Sequence, residues 1–211
     1  VCRNPSCHGV CRNPDNKHCV GLQKKISKDL MVLTPNRWTK LLTRRFAALG
    51  IEPDFSLAQD FTKHFIRVTK SLPPQTRMIS FKTWTNSWAS TERYHEEEIL
   101  GCVFGCGGED NLKHYLGCDV LWTLVIGVAH PHINYLRPDV TSEELPAYRA
   151  GLRDASKISI SLLAIAFKTY HALKMDYRPT IQRALVSNNF EEVYLICTEL
   201  IRLFASEILL S

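Results

Sequence analysis

No stretch of the chain reaches the roughly 18 uninterrupted apolar residues that a membrane-spanning helix needs. The most apolar run, 158–167, is shorter and is broken by Ser159 and Ser161. No segment reads as a secretory signal. The chain begins at Val1 rather than Met, as a fragment or a processed product would. Sustained period-two alternation bounded by turn pairs is also missing, which excludes a sheet-based fold. G-x-S-x-G, H-E-x-x-H and a phosphate-cradling glycine loop are absent, so the common hydrolase, metalloprotease and nucleotide-binding signatures are excluded.

What is present is a chain of 211 residues, 45% apolar and 22% charged. This composition suits a folded chain with a real core rather than a disordered one. The net charge of +5 conceals an asymmetry: residues 1–90 carry 15 Lys/Arg and 5 Asp/Glu, and residues 91–211 carry 11 and 16. A basic half beside an acidic half points to contact with a polyanion. The alternative is a solvated basic face docking on something acidic, the other half included.

Helical spacing dominates, and the expected fold class is all-α: an irregular helical domain with a small structural zinc knuckle. Thr34-Pro35 is an N-cap followed by proline at the first helical position. Trp38, Leu41, Leu42 and Leu49 follow at helical spacing, and Gly50 closes the helix. Arg37, Lys40 and Arg44 share another face of it, with Arg45 adjacent. A second helix starting near Ser56 carries a buried stripe of Leu57, Phe61, Phe65 and Val68 and a basic stripe of Lys63, Arg67 and Lys70, and ends at Pro73-Pro74. A third is expected over 75–90. Its Phe81, Trp84 and Trp88 make one aromatic face, read as core; the competing reading is base stacking beside Arg77 and Lys82. A short helix holds Leu121, Trp122 and Val125, and His130-Pro131-His132 marks a loop. Thr141 and Glu144 fit a capping box. A long apolar helix covers 157–175, Pro179 restarts a helix, and Asn188-Asn189 interrupts it. Val193, Ile196, Cys197, Leu200, Leu203 and Phe204 form the apolar face of the last helix. The expected organisation is a Cys/His-rich segment (1–20), a basic helical region (21–100), the knuckle (101–120) and a C-terminal helical bundle (121–211).

The chain has eight cysteines, and their interleaving with histidine, without a secretory signal, favours metal over disulfides and an intracellular, reducing compartment. Residues 102–118 read CVFGCGGEDNLKHYLGC. Glycines beside Cys102 and Cys106 permit a tight turn that points two thiolates at one ion. Asp110 is expected to cap a short helix beginning near Asn111, with His114 and Cys118 one turn apart on it. Cys102, Cys106, His114 and Cys118 are therefore the expected zinc ligands. The other reading is three buried thiols and a core histidine. Four protein ligands leave no open coordination position, so the zinc is structural. Cys2, Cys7, Cys11, Cys19, His8 and His18 crowd the N-terminus, where Val-Cys-Arg-Asn-Pro occurs twice, at 1–5 and 10–14. Four of these six are candidate ligands of a second zinc; free or disulfide-paired thiols are the alternative. The spacing from Cys2 to Cys7-His8 is wrong for haem attachment. His95 beside Glu96, Glu97 and Glu98 reads as a solvated acidic face, and Cys197 as packing.

The stretch TWTNSWASTERYH (83–95), followed by CVFGC (102–106), Asp110 and HYLGC (114–118), resembles the region after the polymerase domain in reverse transcriptases of non-LTR retrotransposons. The resemblance covers about residues 80–125. It places Cys102, Cys106, His114 and Cys118 on the family's zinc ligands, and Trp84, Trp88 and Arg93 in its lead-in segment. The first cysteine pair departs from the family in having three intervening residues where two are commoner. The polymerase palm is missing, because no Asp-Asp dipeptide occurs to hold its magnesium ions. After Pro138-Asp139, no Glu-x-Lys or Asp-x-Lys completes a restriction-like nuclease site.

The resemblance and the missing catalytic motifs together imply a non-catalytic, zinc-stabilised nucleic-acid-binding module, and the basic stripes place Arg37, Lys40, Arg44, Arg45, Lys63, Arg67 and Lys70 on the DNA or RNA backbone. The alternative is a repurposed structural subunit of a large protein or ribonucleoprotein assembly, for example an organellar one, with other protein subunits as partners. The expected location is the nucleus in the first case and an organelle in the second.

Overall fold

The computed structural model describes residues 35–48, 63–64, 67–68, 70–94, 101–129, 149–150 and 156–209, and only the backbone of 35–38 and 46. The N-terminal cysteines and histidines, the helix start near Ser56, His95 and its glutamates, the His130-Pro131-His132 loop and the Thr141/Glu144 box lie outside the described residues. So do the side chains of Arg37 and Trp38.

Helices are α1 (Pro35–Ala48), α2 (Pro74–Trp84), α3 (Thr91–Tyr94), α4 (Leu112–Gly117), α5 (Asp119–Ala129), α6 (Lys157–Met175), α7 (Arg178–Val186) and α8 (Phe190–Leu209). The fold is all-α; among the described residues the only β pairing is an isolated bridge between Gly101 and Glu109. None of the described helices is long and apolar enough to cross a membrane.

The centre of the molecule is α6. Its run 159–167 is buried without a break, as expected of a helix apolar on all sides. The reason is its neighbours: α2, α5, α7 and α8 all pack against it. A capping box starts the helix, with Ser156 Oγ accepting from Ser159 N at 3.0 Å and Ser159 Oγ accepting from Ser156 N at 2.8 Å. Together these satisfy two backbone N–H groups at the cap. Pro179 lies in the first turn of α7, as its fixed φ favours. The interruption at Asn188-Asn189 is real: Asn188 has φ +54°, and Asn189 Oδ1 accepts from Glu192 N at 3.3 Å at the start of α8. On α8, Val193, Cys197 and Leu200 are buried, but Leu203, expected on the same face, is 59% exposed.

The helix expected over 75–90 stops at Trp84. Asn86 takes φ +53°, and the hydroxyl of Thr85 donates to Phe81 O at 3.0 Å. A left-handed residue cannot continue the helix. The stop separates the aromatic face. Trp84 and Trp88 are core, whereas Phe81 is 38% exposed. Trp84 Nε1 donates to Ala150 O at 2.9 Å, and Trp88 Nε1 donates to Thr83 Oγ1 at 3.0 Å. Trp88 lies among Tyr115, Phe167 and Tyr170, with centroids at 5.9, 5.4 and 5.0 Å.

Because Trp88 is fully buried and joins α2, α4 and α6, Trp88→Ala should destabilise the chain by about 3–5 kcal/mol. Urea unfolding followed by fluorescence or circular dichroism measures this; a loss below about 1 kcal/mol would contradict the packing.

Candidate metal centre

The cysteine segment forms a turn and a short helix. The Cys102 amide donates to Gly108 O at 2.7 Å, and the Gly105 amide donates to Cys102 O at 3.0 Å. Gly105 and Gly107 have φ +72° and +79°, backbone states open to glycine at little cost. A Cβ on Gly105 would also lie 2.7 Å from Leu185 Cδ2 and 3.0 Å from the Phe190 ring, so α7 and α8 abut the turn. Then α4 begins with Asn111 as N-cap, its side chain accepting from His114 N at 2.7 Å. The expected cap, Asp110, is displaced from that role by its neighbour.

The turn and helix bring Cys102, Cys106, His114 and Cys118 together, with one potential ligand atom from each and all within 4.8 Å of one another. Cys106 Sγ is 3.7 Å from Cys118 Sγ and 3.2 Å from His114 Nε2; Cys102 Sγ is 4.0 Å from Cys118 Sγ. Ligands held at Zn–S of about 2.3 Å and Zn–N of about 2.0–2.1 Å are separated by about 3.5–3.8 Å along the edges of a tetrahedron. The three separations bracket these edges, and the cluster is suited to hold a metal ion. Cys118 is the C-cap, with extended backbone, so the fourth ligand comes from the end of α4 rather than from its face.

The thiols are electrostatically unequal. Cys118 is held below the ordinary thiol range, first by its hydrogen bond with Cys102, and the same contact together with burial pushes Cys102 above it. Burial raises Cys106. Backbone hydrogen bonds from Phe104 and Gly108 oppose the rise at Cys102 and Cys106, and one from Leu121 adds to the lowering at Cys118, each favouring thiolate. Such bonds stabilise the sulfur charge that a metal ligand must carry. Cys197 is not part of the cluster; it is buried on α8, and desolvation pushes it up to about 12.

Asp110 is 1% exposed and pairs with Lys174 of α6, itself 8% exposed. Its Oδ1 accepts from Tyr115 Oη at 2.6 Å, and its Oδ2 accepts from Thr91 N at 2.9 Å. Tyr170 Oη approaches Oδ1 at 3.5 Å. Burial, then Asp110, raises both tyrosines above their ordinary range, so they remain neutral donors. Sequence reasoning missed this network. Its one sequence signal is Lys174, the basic residue in the last turn of a long, largely buried helix. Arg149 was also missed: it is buried, its Nη1 donates to Leu116 O at 3.3 Å, and its guanidinium lies over Trp122.

Of the two lead-in tryptophans, Trp88 stacks on Tyr115, which lies in sequence between His114 and Cys118, and Trp84 is buried at the end of α2 with its Nε1 on Ala150 O. Arg93 is exposed, over the Tyr94 ring. Of the basic residues, Lys40, Arg44, Lys63, Arg67 and Lys70 are exposed. Arg45 is half-buried and its Nη2 donates to Thr85 O at 3.4 Å, while Arg67 Nη2 lies 2.8 Å from His64 Nδ1. Comparison of the chain with family models, curated proteins and solved structures returned no match.

Removing one partner of a buried ion pair costs about 3–5 kcal/mol, because the other charge stays buried alone. Asp110→Asn strands the Lys174 ammonium and should reach that range. In Lys174→Met the carboxylate keeps Tyr115 and Thr91, so the loss should be smaller. The double variant should lose less than the sum of the two; additive losses in urea unfolding would show that the pair is not coupled.

Proposed function

We propose that the chain is a non-catalytic, zinc-stabilised nucleic-acid-binding module, similar to the tail of a retroelement reverse transcriptase. The observation that supports the zinc reading is the convergence of three sulfurs and one imidazole nitrogen within 4.8 Å of one another. Thiolate and imidazole donors suit zinc, and four protein ligands leave it no position for water or substrate. The ion then contributes folding energy rather than chemistry. Cys102, Cys106, His114 and Cys118 hold it; Gly108 makes room for it. A Cβ on Gly108 would stand 2.1–2.7 Å from three atoms of the His114 ring.

Elemental analysis of chain purified without added metal should find zinc, and Cys118→Ser should contain one equivalent less. Gly108→Ala displaces the imidazole and should weaken zinc binding about 10–100-fold in chelator competition. Acidification should release the ion, because protons compete for three thiolates and an imidazole. A parent chain without zinc would sink this reading.

The nucleic-acid reading is supported by the sign of the charge. Residues 35–91 carry nine Lys/Arg against three Asp/Glu. Lys40, Arg44, Lys63, Arg67, Lys70, Arg77 and Lys82 among them have exposed side chains. Exposed positive charge attracts a polyphosphate backbone through counterion release. The buried Trp84 and Trp88 take no part in base stacking.

A second reading, a structural subunit of a larger assembly, is favoured by the exposed apolar side chains of α7 and α8: Val186 at 87%, Tyr194 and Leu195 at 57% each, and Leu203 at 59%. Fluorescence anisotropy with labelled DNA and RNA separates the two. The binding module should show log K falling linearly with log salt, by about 0.7–0.9 per phosphate neutralised. Lys40→Glu with Arg44→Glu should make that slope shallower by about 1 for each phosphate that is no longer neutralised. Absent or salt-independent binding favours the subunit.

A further inference from the structure

The four ligands differ in their access to solvent. Cys102 and Cys118 are 3% and 1% exposed, whereas Cys106 is open. Cys106 sits between Gly105 and Gly107, both with positive φ, and a Cβ built on Gly107 meets no atom within 4 Å. The outer side of the turn therefore faces open space. The neighbour that Cys106 can reach is also defined, since its Sγ is 3.7 Å from that of Cys118. Cys102 is 4.0 Å from Cys118, but both of those sulfurs are buried. Oxidation of cysteine follows thiolate character and exposure. A metal-binding thiolate is already deprotonated, so exposure selects among the three.

We infer that Cys106 is an oxidative modification site: a peroxide-reactive thiolate that is resolved by Cys118, with release of the metal. The inference rests on the zinc reading. In the first step the Cys106 sulfur attacks one oxygen of hydrogen peroxide. The O–O bond breaks, a sulfenic acid forms, and hydroxide leaves. In the second step the Cys118 thiolate attacks the Cys106 sulfur. The S–S bond forms, the S–O bond breaks, and a second hydroxide leaves. Two protons from solvent convert the hydroxides to two waters. The two sulfurs have lost two electrons to peroxide, and zinc keeps its charge. Bond formation requires the sulfurs to close to about 2.05 Å, a movement that the glycine-flanked outer turn can supply. Cys102 and His114 remain as ligands, too few for a structural zinc site. Reduction by a thiol restores all four.

The test uses the full chain loaded with zinc and treated anaerobically with equimolar hydrogen peroxide. A chromophoric chelator reads zinc release while samples are alkylated and mapped by mass spectrometry. Trypsin cuts after Lys113, so Cys102 and Cys106 fall in one peptide and Cys118 in the next. Zinc release and a cross-link between these peptides should rise with one rate constant, with fragment ions placing the link at Cys106–Cys118. Dithiothreitol with zinc should reverse both. Cys106→His keeps four ligands and should hold zinc while losing peroxide-driven release. A link at Cys102, sulfinic acid without a cross-link, or zinc retained after oxidation would each overturn the inference. So would release from Cys106→His at the parent's rate. A chain with no zinc before peroxide is added overturns the metal reading itself, and the inference with it.

Discussion

The carboxylate of Asp110 is shared by the Lys174 ammonium, the Tyr115 hydroxyl and the Thr91 amide, in a place almost closed to water. These donors come from α6, α4 and α3, and Asp110 itself lies in the turn that carries two of the metal-binding cysteines. A buried charge must be compensated locally, so the carboxylate constrains three helices and the turn to one arrangement. Tyr115 is flanked in sequence by the ligand His114 and stacks on Trp88. Through it, the same polar anchor sets the aromatic cluster between α2 and α6. The Cys/His segment is thus a wall of the core rather than an appendage.

The arrangement divides the molecule by chemistry. A central apolar helix, α6, is covered by α2, α5, α7 and α8, and it supplies Lys174 and Tyr170 to the anchor. The Cys/His cluster closes one end of this body, with Leu185 and Phe190 against Gly105. Exposed basic side chains lie on α1, on α2 and on the described residues between them, apart from the buried ion pair of the anchor.

Much of the site was legible in the residues. Cysteine and histidine have few reasons to recur within 17 positions beside paired glycines, and the ligand set read from spacing is the set the fold brings together. The long apolar helix and the break at Asn188-Asn189 were legible for a similar reason, since both are set by local composition. Where the reading departed, a longer-range contact or a single backbone angle intervened. Asp110 and Asn111 are both good N-caps by type. Lys174, 64 residues away, together with the Thr91 amide and the Tyr115 hydroxyl, engages the Asp110 carboxylate and leaves the cap to Asn111. The aromatic periodicity of 81–88 is helical, yet Asn86 in the left-handed region ends the helix and turns Trp88 inward while Phe81 stays partly open.

The all-α class, the four converging Cys and His side chains and the uneven charge could be read from the residues alone, because helical periodicity, ligand spacing and net charge are properties of neighbours along the chain. The tertiary structure alone decided which tryptophans are core, which ligand is open to solvent, and that a lysine within an apolar helix neutralises an aspartate at the knuckle. Those outcomes depend on which distant surfaces exclude water from a given atom, and no local pattern of residues specifies that.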